Sequence, residues 1–133
     1  MKKYEAYRKS LAVLMSVDEK EMHADVIYRM GVIGQFHLTF ELAWKAVKEE
    51  LDAHGIQLLT PGSPREVLKK GFALGLVGDE ELWLEMLKKR NLSIHVYDEE
   101  TAENLTELIL GKYMGAFLRL RDGLGKHGGA GKG

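Results

Sequence analysis

Apolar side chains recur at steps of three and four along nearly the whole chain, and no stretch alternates cleanly enough to make a sheet. Both prolines, Pro61 and Pro64, fall in one short polar stretch, so the segments on either side are free of them. Together these features restrict the chain to helix packed on helix.

A first helix over about residues 3–16 puts Tyr4, Tyr7, Leu11 and Leu14 on one stripe. Val17-Asp18-Glu19 breaks it, with Asp18 placed to cap the next helix. A long second helix runs from about residue 20 to His54, its stripe formed by Ile33, Phe36, Phe40, Ala43, Trp44, Val47 and Leu51. Gly31 and Gly34 weaken it locally and permit close approach of a neighbouring helix, and Gly55 stops it. Ser63-Pro64-Arg65-Glu66 is a helix start, with Ser63 as N-cap, Pro64 at the first helical position and Glu66 completing a capping box. That third helix is short and ends near Gly75 or Gly78. Asp79 caps a fourth helix with Leu82, Trp83, Met86, Leu87 and Arg90 on its stripe. Asn91-Leu92-Ser93 is expected to break the chain before Asp98 caps a fifth helix, where Glu99 and Glu100 suit the positive end of the dipole. Ala102, Leu105, Ile109, Tyr113, Ala116 and Leu120 form its inner face. The expected fold is all-α, an antiparallel up-and-down four-helix bundle with an additional short helix. It occupies residues 1–122, with a flexible Gly-rich tail at 123–133.

At 133 residues the length fits one domain with a substantial core. Cys is absent, which excludes disulfides and thiolate metal sites. No apolar run approaches a membrane span and Met1-Lys2-Lys3-Tyr4-Glu5 is too polar for a secretory signal, so the expected compartment is the cytoplasm. With 19 Lys and Arg against 20 Asp and Glu, any nucleic-acid binding must come from a local basic cluster. The tail from Gly128 to Gly133 lacks the upstream Gly, the Ser or Thr and the following helix of a phosphate loop.

The chemistry is concentrated in Arg90-Asn91-Leu92-Ser93-Ile94-His95-Val96-Tyr97. Arg and His together can hold a phosphodiester and move its protons. In an unbroken helix positions five apart lie about 140° around the axis, so Arg90 and His95 meet only if the chain breaks between them. Otherwise each meets its counterpart from a second subunit across a twofold axis. The functional reading is metal-independent RNA cleavage, with His95 transferring a proton and Arg90 offsetting charge on the phosphate. The plainer reading makes Arg90 a C-terminal helix cap and His95 a surface residue. Lys88 and Lys89 complete a basic triplet with Arg90, which suits a helix end and a phosphate backbone equally. His37 and Glu41 share a helical face, but two ligands do not make a metal site, and Glu41 can equally pair with Lys45. His23 with Asp25 reads the same way. No metal or cofactor is called for. Trp44 and Trp83 are expected in the core or at a subunit interface.

Four blocks in order resemble the nucleotidyltransferase substrate-binding proteins of the HEPN superfamily. They are Phe36 to Lys45, Ser63 to Val67, Trp83 to Leu92 and His95 to Glu99. The resemblance covers about residues 4–121 and implies a helical bundle, a homodimer or higher homo-oligomer, and a minimal nucleotidyltransferase as partner. Related HEPN proteins with an Arg-x4-His-x-Tyr motif act as toxin ribonucleases, silenced when the antitoxin transfers AMP to the motif Tyr. Carried over by position, Arg90 and His95 become the catalytic pair and Tyr97 the acceptor. Asn91, Asp98, Lys88 and Lys89, which flank them in the sequence, are expected to support the site. His37 departs from the family pattern, where an acidic residue is expected. The competing readings are a non-catalytic substrate-binding subunit of a two-component nucleotidyltransferase and a purely structural helical dimer.

Overall fold

The computed structural model describes residues 2–60, 62–94 and 98–132, with side chains described as far as Lys126. It is all-α, as the periodicity predicts, with no strand among the described residues. Helix α1 spans Lys2–Met15, α2 Glu19–Ala24, α3 Val26–Ala53, α4 Pro64–Ala73 and α5 Glu80–Ser93. The last helical stretch runs through α6 (Glu99–Leu108), a π turn (Ile109–Tyr113) and α7 (Met114–Lys132).

Helix α3 is the central element, packed against α1, α4, α5, α6 and α7. Its stripe Ile33, Phe36, Phe40, Ala43, Trp44, Val47 and Leu51 is buried throughout. Phe36 meets Tyr113 and Phe117 at ring-centroid distances of 5.8 and 6.1 Å, and Trp83 meets Phe117 edge-on at 5.6 Å. Both tryptophans therefore belong to the core of the protomer. Tyr7 fastens α1 to α7 by donating to the Phe117 carbonyl at 2.6 Å, and burial pushes its phenol well above the usual range. The inner face of the last stretch is buried at every position read from its spacing. Burial continues to Leu124, two residues past the point where composition ends the packed domain.

Local capping follows the sequence at Asp18, Ser63, Asp79 and Asp98, each accepting from backbone amides of the turn it starts. Gly55 and Gly75 have φ of 73° and 78°, the left-handed conformation that ends a helix without a Cβ penalty.

Four expectations are corrected. The helix expected from residue 20 is divided at Asp25, whose extended backbone (φ −124°, ψ 118°) ends α2 while its carboxylate caps Ile27 and Tyr28 at the start of α3. Buried Arg29 secures that corner, donating to the carbonyls of Met22 and His23 at 3.1 and 2.8 Å. Glu66 closes no capping box, because the Ser63 amide already donates to the Thr60 carbonyl. Its carboxylate instead accepts from the amides of Leu59 and Thr60, both at 2.6 Å. Within the protomer Gly31 and Gly34 face open space, and close approaches occur instead at Gly71, where a Cβ would lie 2.8 Å from Val47 and 2.9 Å from Val77, and at Gly125, where it would lie 2.6 Å from the Tyr4 hydroxyl. Finally, Asn91-Leu92-Ser93 does not break the chain: α5 continues through Ser93, and the turn begins at Ile94.

Candidate functional site

Arg90 lies in the last turn of α5, three-quarters buried along its side chain, and its guanidinium turns toward α3. There Nη2 donates to Glu41 Oε2 at 2.8 Å, while Nη1 donates to Asn91 Oδ1 at 3.2 Å. Glu41 also accepts from Trp44 Nε1 at 2.9 Å and sits 3.4 Å from Lys45 Nζ. Burial alone would raise the Glu41 carboxyl. The Trp44 bond, the Arg90 charge and Lys45 outweigh it and hold the group below the ordinary carboxylate range. Glu41 is thus an ionised anchor that orients Arg90 from a neighbouring helix. Two guanidinium N–H groups are engaged in this way out of five, which leaves donors for an incoming anion.

One turn earlier on α3, His37 Nε2 is 2.6 Å from Ser93 Oγ, and Ser93 Oγ donates to the Arg90 carbonyl at 3.1 Å. This link explains why α5 holds together through Ser93: the hydroxyl satisfies a carbonyl at the helix end and is itself held by a second helix. Burial first, and the Arg90 charge second, lower the His37 pKa. A depressed imidazole favours the neutral form in the folded protein. Its contribution to stability is fully present above the ordinary value of about 6.5 and is lost as pH falls through the lower folded value. The urea midpoint of the wild-type chain should therefore drop more between pH 7 and pH 5 than that of His37→Gln. Parallel pH curves for the two would contradict the linkage.

The other residues singled out in the sequence separate around this centre. Lys88 lines a groove with Arg90 beside the first turn of α4, whereas Lys89 lines a different cavity against α6, with Ser93, Thr101 and Leu105. Asp98 caps α6, accepting from the Glu100 amide at 3.1 Å and from the Thr101 hydroxyl. The Thr101 bond, aided by the backbone amides, holds its carboxyl low. His95 and Tyr97 lie outside the described residues. The sequence reading missed Glu41 and His37 as neighbours of Arg90. The available signal was their spacing of four beside the buried Phe36–Phe40–Trp44 stripe, which directs both toward whatever packs on that edge of α3. Among the described residues no cluster of three His, Asp or Glu side chains could hold a metal. No helix there is long and apolar enough to cross a membrane.

Comparison with known proteins bears on this arrangement. The chain is 31% identical over 74 residues to a Haemophilus influenzae protein named Probable ribonuclease HepT, a match covering 54% of this chain and 51% of that protein. It thus spans about half the length of that relative. A crystal structure of a protein from Thermus thermophilus superposes with a TM-score of 0.66 at 26% identity, covering 89% of this chain and 94% of the other. The family described as "Nucleotidyltransferase substrate binding protein like" matches residues 2–126, nearly the full length, and the chain belongs to that family.

Proposed function

We propose that this chain is a HEPN-type partner of a minimal nucleotidyltransferase and a metal-independent endoribonuclease whose catalytic pair is Arg90 and His95. The observation that carries the reading is Arg90 itself. It is a partly buried guanidinium, oriented by Glu41 and Asn91, with donors to spare at the edge of an open groove. The relative named as a probable ribonuclease supports the same chemistry. In the reaction the ribose 2′-oxygen bonds to the adjacent phosphorus as the bond to the 5′-oxygen breaks. One proton leaves the 2′-hydroxyl and one reaches the departing oxygen. His95 carries one of these transfers, and Arg90 offsets charge on the phosphoryl oxygens.

Silencing follows from Tyr97. Its hydroxyl oxygen would bond to the α-phosphorus of ATP, pyrophosphate would leave and the phenolic proton would be lost. The resulting anion two residues from His95 would compete for Arg90. A homodimer in the cytoplasm completes the proposal. It is supported by the uncovered side of α3, where Ile27, Met30 and Leu38 are exposed alongside the open Gly31 and Gly34.

Purified chain incubated with a generic RNA in excess EDTA should yield 2′,3′-cyclic phosphate ends. Incubation with the transferase and ATP should raise the intact mass by whole AMP units, and Tyr97→Phe should prevent this. A second reading, a non-catalytic substrate-binding subunit, is favoured by the description of the family itself. Intact RNA together with an unchanged mass would establish that reading over the first. A monomer by light scattering at micromolar concentration would remove a site shared between subunits.

A further inference from the structure

The first turn of α4 and residues of α5 between 81 and 92 line an open groove of about 780 Å³. This lies within the range of about 300–1,000 Å³ typical of ligand sites. Arg65 of α4 and Lys88 and Arg90 of α5 are among the residues that line it. Among the described residues neither Arg65 nor Lys88 forms an ion pair. Two carboxylates also border the groove, but Glu85 is occupied, accepting from Lys112 at 3.1 Å and from Tyr113 at 2.7 Å. Glu81 sits in the first turn of α5, where the helix dipole accommodates its charge. The lining thus carries three cationic side chains, Arg90 among them held by Glu41, against two carboxylates, on a chain of net charge −1. Leu84, Leu87 and Leu92 add apolar surface, and Leu92 is 62% exposed.

Cationic and apolar side chains lining one groove match a strand that offers both phosphates and base faces. An isolated anion would need no such apolar wall. We propose that this groove holds the single-stranded RNA flanking the phosphodiester at Arg90. Arg65 and Lys88 meet backbone phosphates, and the leucines support the faces of adjacent bases. The identity of the polyanion rests on the ribonuclease reading; the groove does not.

The test uses the full chain carrying His95→Ala, so that RNA survives, and a fluorescent single-stranded RNA of mixed sequence. Binding is followed by anisotropy across a salt series. Each phosphate contact on a single strand contributes about −0.7 to the slope of log K against log salt. Adding Arg65→Ala and Lys88→Ala should make that slope shallower by about 1.4. It should also weaken binding at low salt by at least ten-fold (roughly 1.4 kcal/mol). A control that adds Lys9→Ala and Lys20→Ala removes the same charge from exposed sites elsewhere and should change both far less. Thermal melts verify that each variant folds. Equal losses in the groove and control variants, or no RNA binding by any form, would overturn the assignment. So would a groove variant that keeps RNA but loses the transferase. Separate cleavage assays keep the two readings apart. If the unsubstituted chain cuts RNA while the groove variant binds normally, only the groove assignment fails. If it cuts none while the groove variant binds more weakly, the groove assignment stands and the ribonuclease reading fails.

Discussion

Arg90→Ala is expected to slow the proposed RNA cleavage by about 10²–10³-fold, the usual effect of removing one preorganised donor to a developing oxyanion. His95→Ala should cost about 10²–10⁴-fold, the range for a positioned proton carrier. The folded state should tolerate the loss of Arg90, because Glu41 retains Trp44 Nε1 at 2.9 Å and Lys45 at 3.4 Å. Exposed ion pairs contribute about 0–1 kcal/mol and hydrogen bonds to charged groups about 1.5–3 kcal/mol, which bounds the expected loss for this mostly buried pair. Arg90→Lys should recover little, since an ammonium cannot serve Glu41, Asn91 and a phosphate with the planar fork of a guanidinium. Glu41→Gln should fall between, keeping an acceptor for Trp44 while removing the charge that orients Arg90. Single-turnover cleavage, with urea unfolding of each variant beside it, gives these numbers. Undiminished cleavage by Arg90→Ala would remove Arg90 from the chemistry.

Phe36→Ala is expected to destabilise the chain by about 3–5 kcal/mol, the cost of emptying a large aromatic site in a packed core. Phe36 is fully buried, with Tyr113, Phe117 and Phe40 around it at centroid distances of 5.8, 6.1 and 6.2 Å. Domains of this size are stable by only about 5–15 kcal/mol, so the melting temperature should fall by roughly 10–20 °C. The damage should reach function as well. Phe36 precedes His37, and Phe40 precedes Glu41, so the core face of α3 sets the angle at which both polar residues meet α5. A drop in stability below about 1 kcal/mol would mean that this cluster is not the centre of the core.

The helices and their inner faces are legible from residue order alone, because they depend on interactions within one turn. Stripes such as Phe36–Phe40–Trp44–Val47 and Tyr7–Leu11–Leu14 follow from a period of 3.6 residues, and they are buried as their spacing requires. Asp18, Ser63, Asp79 and Asp98 cap through bonds to amides two or three residues on, which is why residue type suffices to find them. The family resemblance is of the same local kind, carried by short blocks of sequence.

The meetings between helices are a different matter and emerge only from the packed chain. Glu41 reaches Arg90 across 49 positions and His37 reaches Ser93 across 56, and no rule of local spacing connects them. The same limit explains the misread boundaries. Ser93 looks like a helix breaker until a histidine from α3 secures its hydroxyl, and Glu66 looks like half of a capping box until the preceding loop offers it two amides. Polar side chains take the partner that packing delivers, and packing is a property of the whole chain.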